Sequence, residues 1–531
     1  MDKNQLVELT IEDMSVEGQG IGRIVGSGES GEPSGKKSGS LSGESGGDDR
    51  GMVVFAAGAV AGDRVRARLT RIKKNYAFAQ VEEILEESPL RAEDFDCPGC
   101  AQGCGGCPLG PLTYEAQLKL KENQVRSRLE RIAGLEDPLI RPIAGMADED
   151  NGGQGCFRYR NKAVFQVSTG GIITRKGGVV ENLGDPAVGF YSAGSHDVVD
   201  CADCRLQSPA TMAAADALRR FMVEDNITGF DPKWEKGLMR HMIVRTAFAT
   251  GEVMVILVIN GKGIPGAPKL IEMLDEAVWQ AGFSLESVVI NIHKASGKNV
   301  EKNKNKDRRQ IRVNGEIMGP ENVVIAGKPT ILDRVGEMDV EISPASFFQV
   351  NPVQMKRLYD RVREYCRPSA DRPVILDLYC GVGSIGLYCA DLAEMVIGIE
   401  SVKDAVTDAN RNAVINGIVN ARFLCGRAED VLPAYVRGEA PGMDESLQEY
   451  IRRADIAILD PPRAGCRPEL LDAVAFADIP RIIYVSCDPA TLARDIRILT
   501  ERGYAFVEGA PVDMFPHTGQ VETVCLMSKV K

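Results

Sequence analysis

Apolar and polar positions alternate in the first part of the chain. Gln5–Ile24 and Met52–Leu85 read as short strands broken by glycines, among them Asp63–Leu69 and Tyr76–Val81. Between them, 14 of the 24 residues Ser27–Arg50 are Gly or Ser, and Leu41 is the only aliphatic one. Such a segment buries too little apolar surface to offset its ordering entropy, so a flexible loop insertion is expected there. The flanks are expected to close a small all-β barrel over residues 1–90. A helical pattern over Tyr114–Ala133 follows. Residues 91–335 then mix strand-like runs (Ala163–Val167, Val253–Asn260, Ser287–Ile292) with helical ones (Thr211–Val223, Lys269–Ala281), which predicts a central α+β domain.

From 336 to 531 the alternation is regular. Strand-like Val374–Tyr379, Met395–Glu400, Ile456–Asp460 and Ile482–Cys487 are separated by helical Ile385–Leu392, Asp404–Asn416 and Ala490–Arg502. This predicts a Rossmann-like α/β domain, a parallel sheet covered on both faces. Ligands gather at the carboxyl ends of such strands, where Tyr379, Glu400, Asp460 and Cys487 all fall.

Composition changes the picture in two places. The 531 residues include 63 basic and 75 acidic side chains, a formal charge of −12, which argues against a generic polyanion binder. The charge is uneven, however. Arg64, Arg66, Arg68, Arg71, Lys73 and Lys74 precede Tyr76 and Phe78 with no acid among them, and Lys294–Arg312 carries eight basic residues against Glu301 and Asp307. Cations beside aromatics suit phosphates and stacked bases; a solvated strand face and a charged hairpin explain the same residues. The 14 cysteines are expected to be thiols, metal ligands or nucleophiles. The longest aliphatic run, Val253–Ile259, is too short to cross a membrane, and Met1–Gln5 lacks a secretory pattern, so a soluble cytoplasmic protein is expected.

Gly381, Gly383 and Gly386 match G-x-G-x-x-G between a strand and a helix. A glycine turn lets backbone approach a nucleoside or a pyrophosphate, and Glu400 can accept from ribose hydroxyls, so an NAD enzyme and a methyltransferase both fit. Asp460-Pro461-Pro462-Arg463 separates them: a stiff turn holding a carboxylate near the reacting centre has an obvious use in nucleobase methylation. Cys487 meets a helix N-terminus, where a lowered thiol pKa is expected. Glu522, opening the apolar strand Val521–Met527, is a candidate general base. Cys380, Cys389, Cys425 and Cys525 read as core thiols.

Cys97, Cys100, Cys104 and Cys107 fall within eleven residues, and Cys201 and Cys204 form a distant pair. Density and spacing point to a metal, either zinc or an iron–sulfur cluster.

The segments SPASFFQVNP (343–352), DLYCGVG (377–383), DPPR (460–463), SCDPAT (486–491), FPHT (515–518) and VET (521–523) together resemble the S-adenosylmethionine-dependent RNA uracil-5-methyltransferases. The resemblance is close over Ser343–Lys531 and looser over the remainder. The N-terminal barrel is similar to the OB-type TRAM domain of the family's 23S rRNA branch. It implies a Cys487 nucleophile and Glu522 as proton acceptor, with S-adenosylmethionine held by Gln349, Tyr379, Glu400 and Asp460 beside Gly381 and Gly383. It implies a 4Fe–4S cluster on Cys97, Cys104, Cys107 and Cys204. Six residues separate Cys97 from Cys104 and three separate Cys100 from it, so Cys100 remains an alternative first ligand. The expected substrate is a uridine in a 23S rRNA loop, flipped from its stack by a monomeric enzyme. A tRNA methyltransferase and a non-catalytic RNA-binding or assembly protein are the alternatives.

Overall fold

The computed structural model describes residues 2–24, 51–93, 95–169, 172–174, 180–182, 184–232, 235–294, 317–367, 371–439 and 444–530. The expected Ser27–Arg50 insertion lies outside them, as does Lys294–Arg312 beyond its first residue. The chain divides into two compact units: Met1–Phe95 with Cys107–Leu120 and His517–Gly519, and Asp96–Gly106 with Lys121–Pro516 and Gln520–Lys531.

In the first unit, Leu6–Met14, Gln19–Ile24, Met52–Ala57, Tyr76–Glu86 and Arg64–Ile72 close in that order into a five-stranded barrel. Alternate residues point inward, and Leu9, Ile11, Val54, Val65, Leu69 and Ala77 fill the core. The arginines on the outer face are not free. Arg64 pairs with Glu86 at 2.7 Å and Glu8 at 3.4 Å, Arg66 with Glu8 and Glu83, and Arg68 with Glu82. The acids come from the two neighbouring strands, which is why a scan along Arg64–Val81 alone sees unopposed charge. Arg71, Lys73 and Lys74 remain exposed near Tyr76, whose ring meets Phe55 at 5.9 Å and Phe78 at 5.6 Å.

The second unit contains two seven-stranded sheets. The first runs Val198–Asp200, Val188–Tyr191, Lys162–Val167, Met239–Thr246, Glu252–Ile259, Ser284–Ile292, Glu321–Gly327. Helices Pro209–Glu224 and Ala267–Gln280 pack on one face through Leu218, Phe221 and Leu274 against Phe165, Val244 and Leu257. The opposite face contributes Ile243, Met254, Ile256 and Val258 to a core shared with Ile375, Ile458, Ile483 and Val485 of the second sheet.

The second sheet runs Ala421–Cys425, Met395–Glu400, Val374–Leu378, Ile456–Leu459, Arg481–Ser486, Glu522–Lys529, Tyr504–Val512. Its first five strands are parallel, and the four after the edge strand Ala421–Cys425 are buried on both faces, which explains their continuous apolar runs. Leu376, Ile397, Leu459 and Tyr484 pack on the face away from the shared core. Cys380, Cys389 and Cys525 are buried as expected, but Cys425 is exposed. It ends the edge strand Ala421–Cys425, which pairs on one side with Met395–Glu400.

Candidate active site

Four adjacent parallel strands end at one edge of the second sheet. Val374–Leu378 delivers Tyr379, Met395–Glu400 ends on Glu400, Ile456–Leu459 delivers Asp460 and Arg481–Ser486 delivers Cys487. Glu522–Lys529 runs antiparallel and begins where its neighbour stops, with Thr523 opposite Ser486, so Glu522 arrives at the same edge.

The turn after Val374–Leu378 is built from left-handed residues: Tyr379 has φ 67°, Gly381 54° and Gly383 77°. For a tyrosine this conformation costs about 1–3 kcal/mol. It is held by the Tyr379 N–H donating to Ile399 O at 3.0 Å and the phenol donating to Glu429 at 3.2 Å. The glycines have different jobs. A Cβ on Gly381 would meet nothing within 4 Å, whereas one on Gly383 would stand 2.8 Å from the Phe423 ring. Gly381 therefore leaves backbone open to a ligand, and its N–H donates to Glu400 Oε2 at 3.1 Å. Gly383 is required by packing.

Gln349, Tyr379, Gly381 and Asp460 line one small cavity together with Phe348 and Asp377. Asp377 Oδ2 accepts the Gly386 N–H at 2.9 Å, while its Oδ1 is buried with no hydrogen-bond partner among the described residues. Sequence reading passed over this acid, although a carboxylate inside an otherwise apolar strand was a signal.

Burial pushes the acids of the site upward. Asp377 rises to about 7, and Asp460 to about 7 with Asp377 adding repulsion. Glu522 rises to about 8 through burial first and Asp460 second, with Arg463 opposing. Cys487 is pushed up to about 11 by burial, then by Glu522 and Asp460, while the Arg463 charge draws it down. The expected lowering of this thiol is thus reversed in the ligand-free protein. One reason is visible at the helix Pro489–Glu501: its leading N–H groups at Ala490 and Thr491 donate to the Asp488 carboxylate, at 2.8 and 3.1 Å, rather than to sulfur.

Arg463 is placed by the turn that follows Asp460. Thr491 Oγ1 donates to Arg463 O at 3.2 Å. Asp495, fully buried on the same helix, accepts the Cys466 N–H at 2.8 Å and the Tyr484 hydroxyl at 2.7 Å. Neither Arg463 nor Asp495 was assigned a role from sequence; no local pattern links Asp495 to residue 466.

Comparison with known proteins identifies the family. Residues 327–530 match the tRNA (uracil-5-)-methyltransferase family and residues 3–81 match the TRAM domain. An uncharacterized RNA methyltransferase of Caldanaerobacter subterraneus is 38% identical over 98% of both chains, and one of Bacillus cereus is 34% identical over 100% of this chain and 98% of its own. The chain belongs to the RNA uracil-5-methyltransferase family. It is an S-adenosylmethionine-dependent RNA methyltransferase with a TRAM domain. Its fold is similar to that of Pyrococcus abyssi tRNA (uracil-54, C5)-methyltransferase in complex with S-adenosyl-L-homocysteine: TM-score 0.65, 24% identity, covering 98% of this chain and 100% of that one. No described helix of the methyltransferase is long and apolar enough to cross a membrane.

Away from this edge, the second unit gathers thiols of the methyltransferase. Cys204 is drawn down, first by a hydrogen bond from Cys201. Burial raises Cys104, with Cys204 and Cys97 adding to the effect. Cys97 is raised first by its hydrogen bond with Cys100. Cys107 belongs to the other compact unit. Among the described residues, no three His, Cys, Asp or Glu side chains stand at metal-coordinating geometry.

Proposed function

We propose that the enzyme forms 5-methyluridine in 23S rRNA, with Cys487 as nucleophile and Glu522 as proton acceptor. The observation that carries this reading is a thiol under the influence of Arg463 and of the buried Glu522 carboxyl, on the strand between those that carry Asp460 and Glu522. Carbon 5 of uracil is too weak a nucleophile to attack a methyl sulfonium unaided. Cys487 gives its proton to solvent and its sulfur bonds carbon 6 as the 5,6 double bond opens, which makes carbon 5 an enolate carbon. S-adenosylmethionine supplies the electrophilic methyl group. Glu522 then takes the carbon-5 proton, the carbon–sulfur bond breaks and the 5,6 double bond returns. Burial raises Glu522 to about 8, so its carboxylate form, present in part at neutral pH, is a stronger base than an ordinary carboxylate.

The pocket residues fit the methyl donor. Gly381 offers open backbone, Asp377 Oδ1 is a buried acceptor without a partner, and Glu400 reaches the turn that would face a ribose. Gln349, Tyr379, Glu400 and Asp460 would hold it.

A 4Fe–4S cluster would be carried by Cys97, Cys104 and Cys204, with Cys107 taken from the sequence spacing and zinc as the alternative. Support comes from the mutual influence of Cys97, Cys104, Cys201 and Cys204. Methyl transfer to uracil needs no electron transfer, so the cluster would tie residues 97–104 to 201–204. Iron and sulfide analysis of anaerobic protein separates it from zinc.

Ribosomal RNA is favoured by the TRAM domain and the cysteine group together. Transfer RNA is the second reading, because the Pyrococcus tRNA enzyme matches almost the whole chain. Mapping 5-methyluridine in ribosomal and transfer RNA with and without this protein decides: loss at a 23S position supports the first reading, and loss confined to tRNA overturns it.

A further inference from the structure

About half of the described cations in the second unit have an acid in ion-pair contact. Lys162 does not. It opens the strand Lys162–Val167 and stands directly opposite Arg245 in the antiparallel pairing with Met239–Thr246. Directly opposed residues share one face of a sheet, so two cations are set side by side. That face carries Ile243 and Val164 into the core shared with the catalytic sheet.

Arg245 is occupied. It is 3% exposed, donates to Pro344 O at 3.2 Å and to Ser346 O, and feels Asp408. It braces the loop that leads to Gln349. Asn161, the residue before Lys162, holds the far end of that loop, donating from its N–H to Val350 O and from Nδ2 to Gln349 O, both at 2.9 Å. The loop lining the cofactor cavity is thus clamped from both sides by neighbours of Lys162, while the Lys162 ammonium makes no hydrogen bond or ion pair among the described residues. Burial and the Arg245 charge draw Lys162 down to about 8, with no carboxylate opposing them. Like charges are placed together at a half-buried position at a cost that an arriving anion removes.

We propose that Lys162, backed by Arg245, is an oxyanion subsite for a phosphodiester of the bound RNA, at the loop that carries Gln349. The inference rests on the RNA-methyltransferase reading above and assigns one phosphate contact within it. Lys162 is a binding residue here: it fixes the strand carrying the target base and touches none of the reacting atoms.

The test uses full-length protein, a ribosomal RNA fragment containing the modified uridine, and Lys162→Ala with Lys162→Arg. RNA affinity is measured over a salt series and S-adenosylmethionine affinity by calorimetry. The expected result for Lys162→Ala is RNA affinity down about tenfold. The slope of log affinity against log salt should become shallower by about one. Cofactor affinity should not change, and Lys162→Arg should restore most of the slope. Unchanged RNA affinity and slope in Lys162→Ala overturn the subsite, as does a loss of cofactor affinity with RNA binding intact, which would give the anion to the methionine carboxylate instead. If the wild-type protein methylates uridine while Lys162→Ala binds RNA normally, the subsite fails and the enzyme reading stands. If the wild type fails to methylate uridine, the enzyme reading fails, and the salt slope still decides Lys162.

Discussion

The Arg463 guanidinium draws the Cys487 thiol down, set against burial, Glu522 and Asp460, which all raise it. The proposed nucleophile therefore depends on a residue from a different strand end, delivered by the Asp460-Pro461-Pro462 turn. Removing Arg463 leaves the thiol with its raising influences unopposed. Arg463→Met is expected to lower the methylation rate at neutral pH by about tenfold or more, since each pKa unit is worth a factor of ten in thiolate. Its pH–rate profile should shift to higher pH; an unshifted profile would remove Arg463 from this role.

Cys487→Ala is expected to abolish methylation while S-adenosylmethionine binding persists, because the thiol does not line the cofactor cavity. Calorimetry and transfer of a radiolabelled methyl group read the two properties separately. Residual transfer at a tenth of the wild-type rate would be incompatible with covalent catalysis by this residue.

The acids of the site make a pH statement about stability. Glu522 near 8, and Asp377 and Asp460 near 7, all lie above their unfolded values. Groups raised on folding contribute stability that is full below the unfolded pKa and is lost as pH rises through the folded pKa. Ligand-free protein should therefore lose melting temperature between about pH 5 and 8. Glu522→Gln should reduce that loss; identical slopes in the two proteins would contradict the burial of an ionisable group at 522.

Asp495 holds the turn that carries Arg463. Asp495→Ala strips partners from the Cys466 N–H and the buried Tyr484 hydroxyl, and should cost about 2–4 kcal/mol of stability in denaturant titration. Tyr484→Phe removes one of these bonds and should cost about 1 kcal/mol. Equal small losses in both variants would show that the turn is held elsewhere.

The catalytic sheet was legible because a doubly covered parallel sheet writes itself as short apolar runs with chemistry at their ends, so the sequence alone places Tyr379, Glu400, Asp460 and Cys487 at one edge. What was not legible depended on strand neighbours. The charge on Arg64, Arg66 and Arg68 looked free because Glu8 and Glu82–Glu86 face them across strand pairs rather than along one strand. Cys425 looked like a core thiol because apolar flanks do not reveal that a strand is an edge. The thiol pKa was misjudged for a similar reason. A helix N-terminus was visible in the sequence, but not that the Asp488 carboxylate occupies its N–H groups, nor that Glu522 and Asp460 fold against the sulfur.

The central claim is a covalent bond between Cys487 and the target uridine, resolved by Glu522. It is tested most directly by incubating Glu522→Gln with S-adenosylmethionine and substrate RNA, then separating the mixture on a denaturing gel and mapping the crosslinked peptide by mass spectrometry. The account predicts a slow-migrating protein–RNA species whose RNA mass sits on Cys487 with the methyl group already on carbon 5. Absence of that species, while wild-type protein turns over the same RNA, would contradict the assignment of Glu522. An adduct on any other residue would contradict that of Cys487.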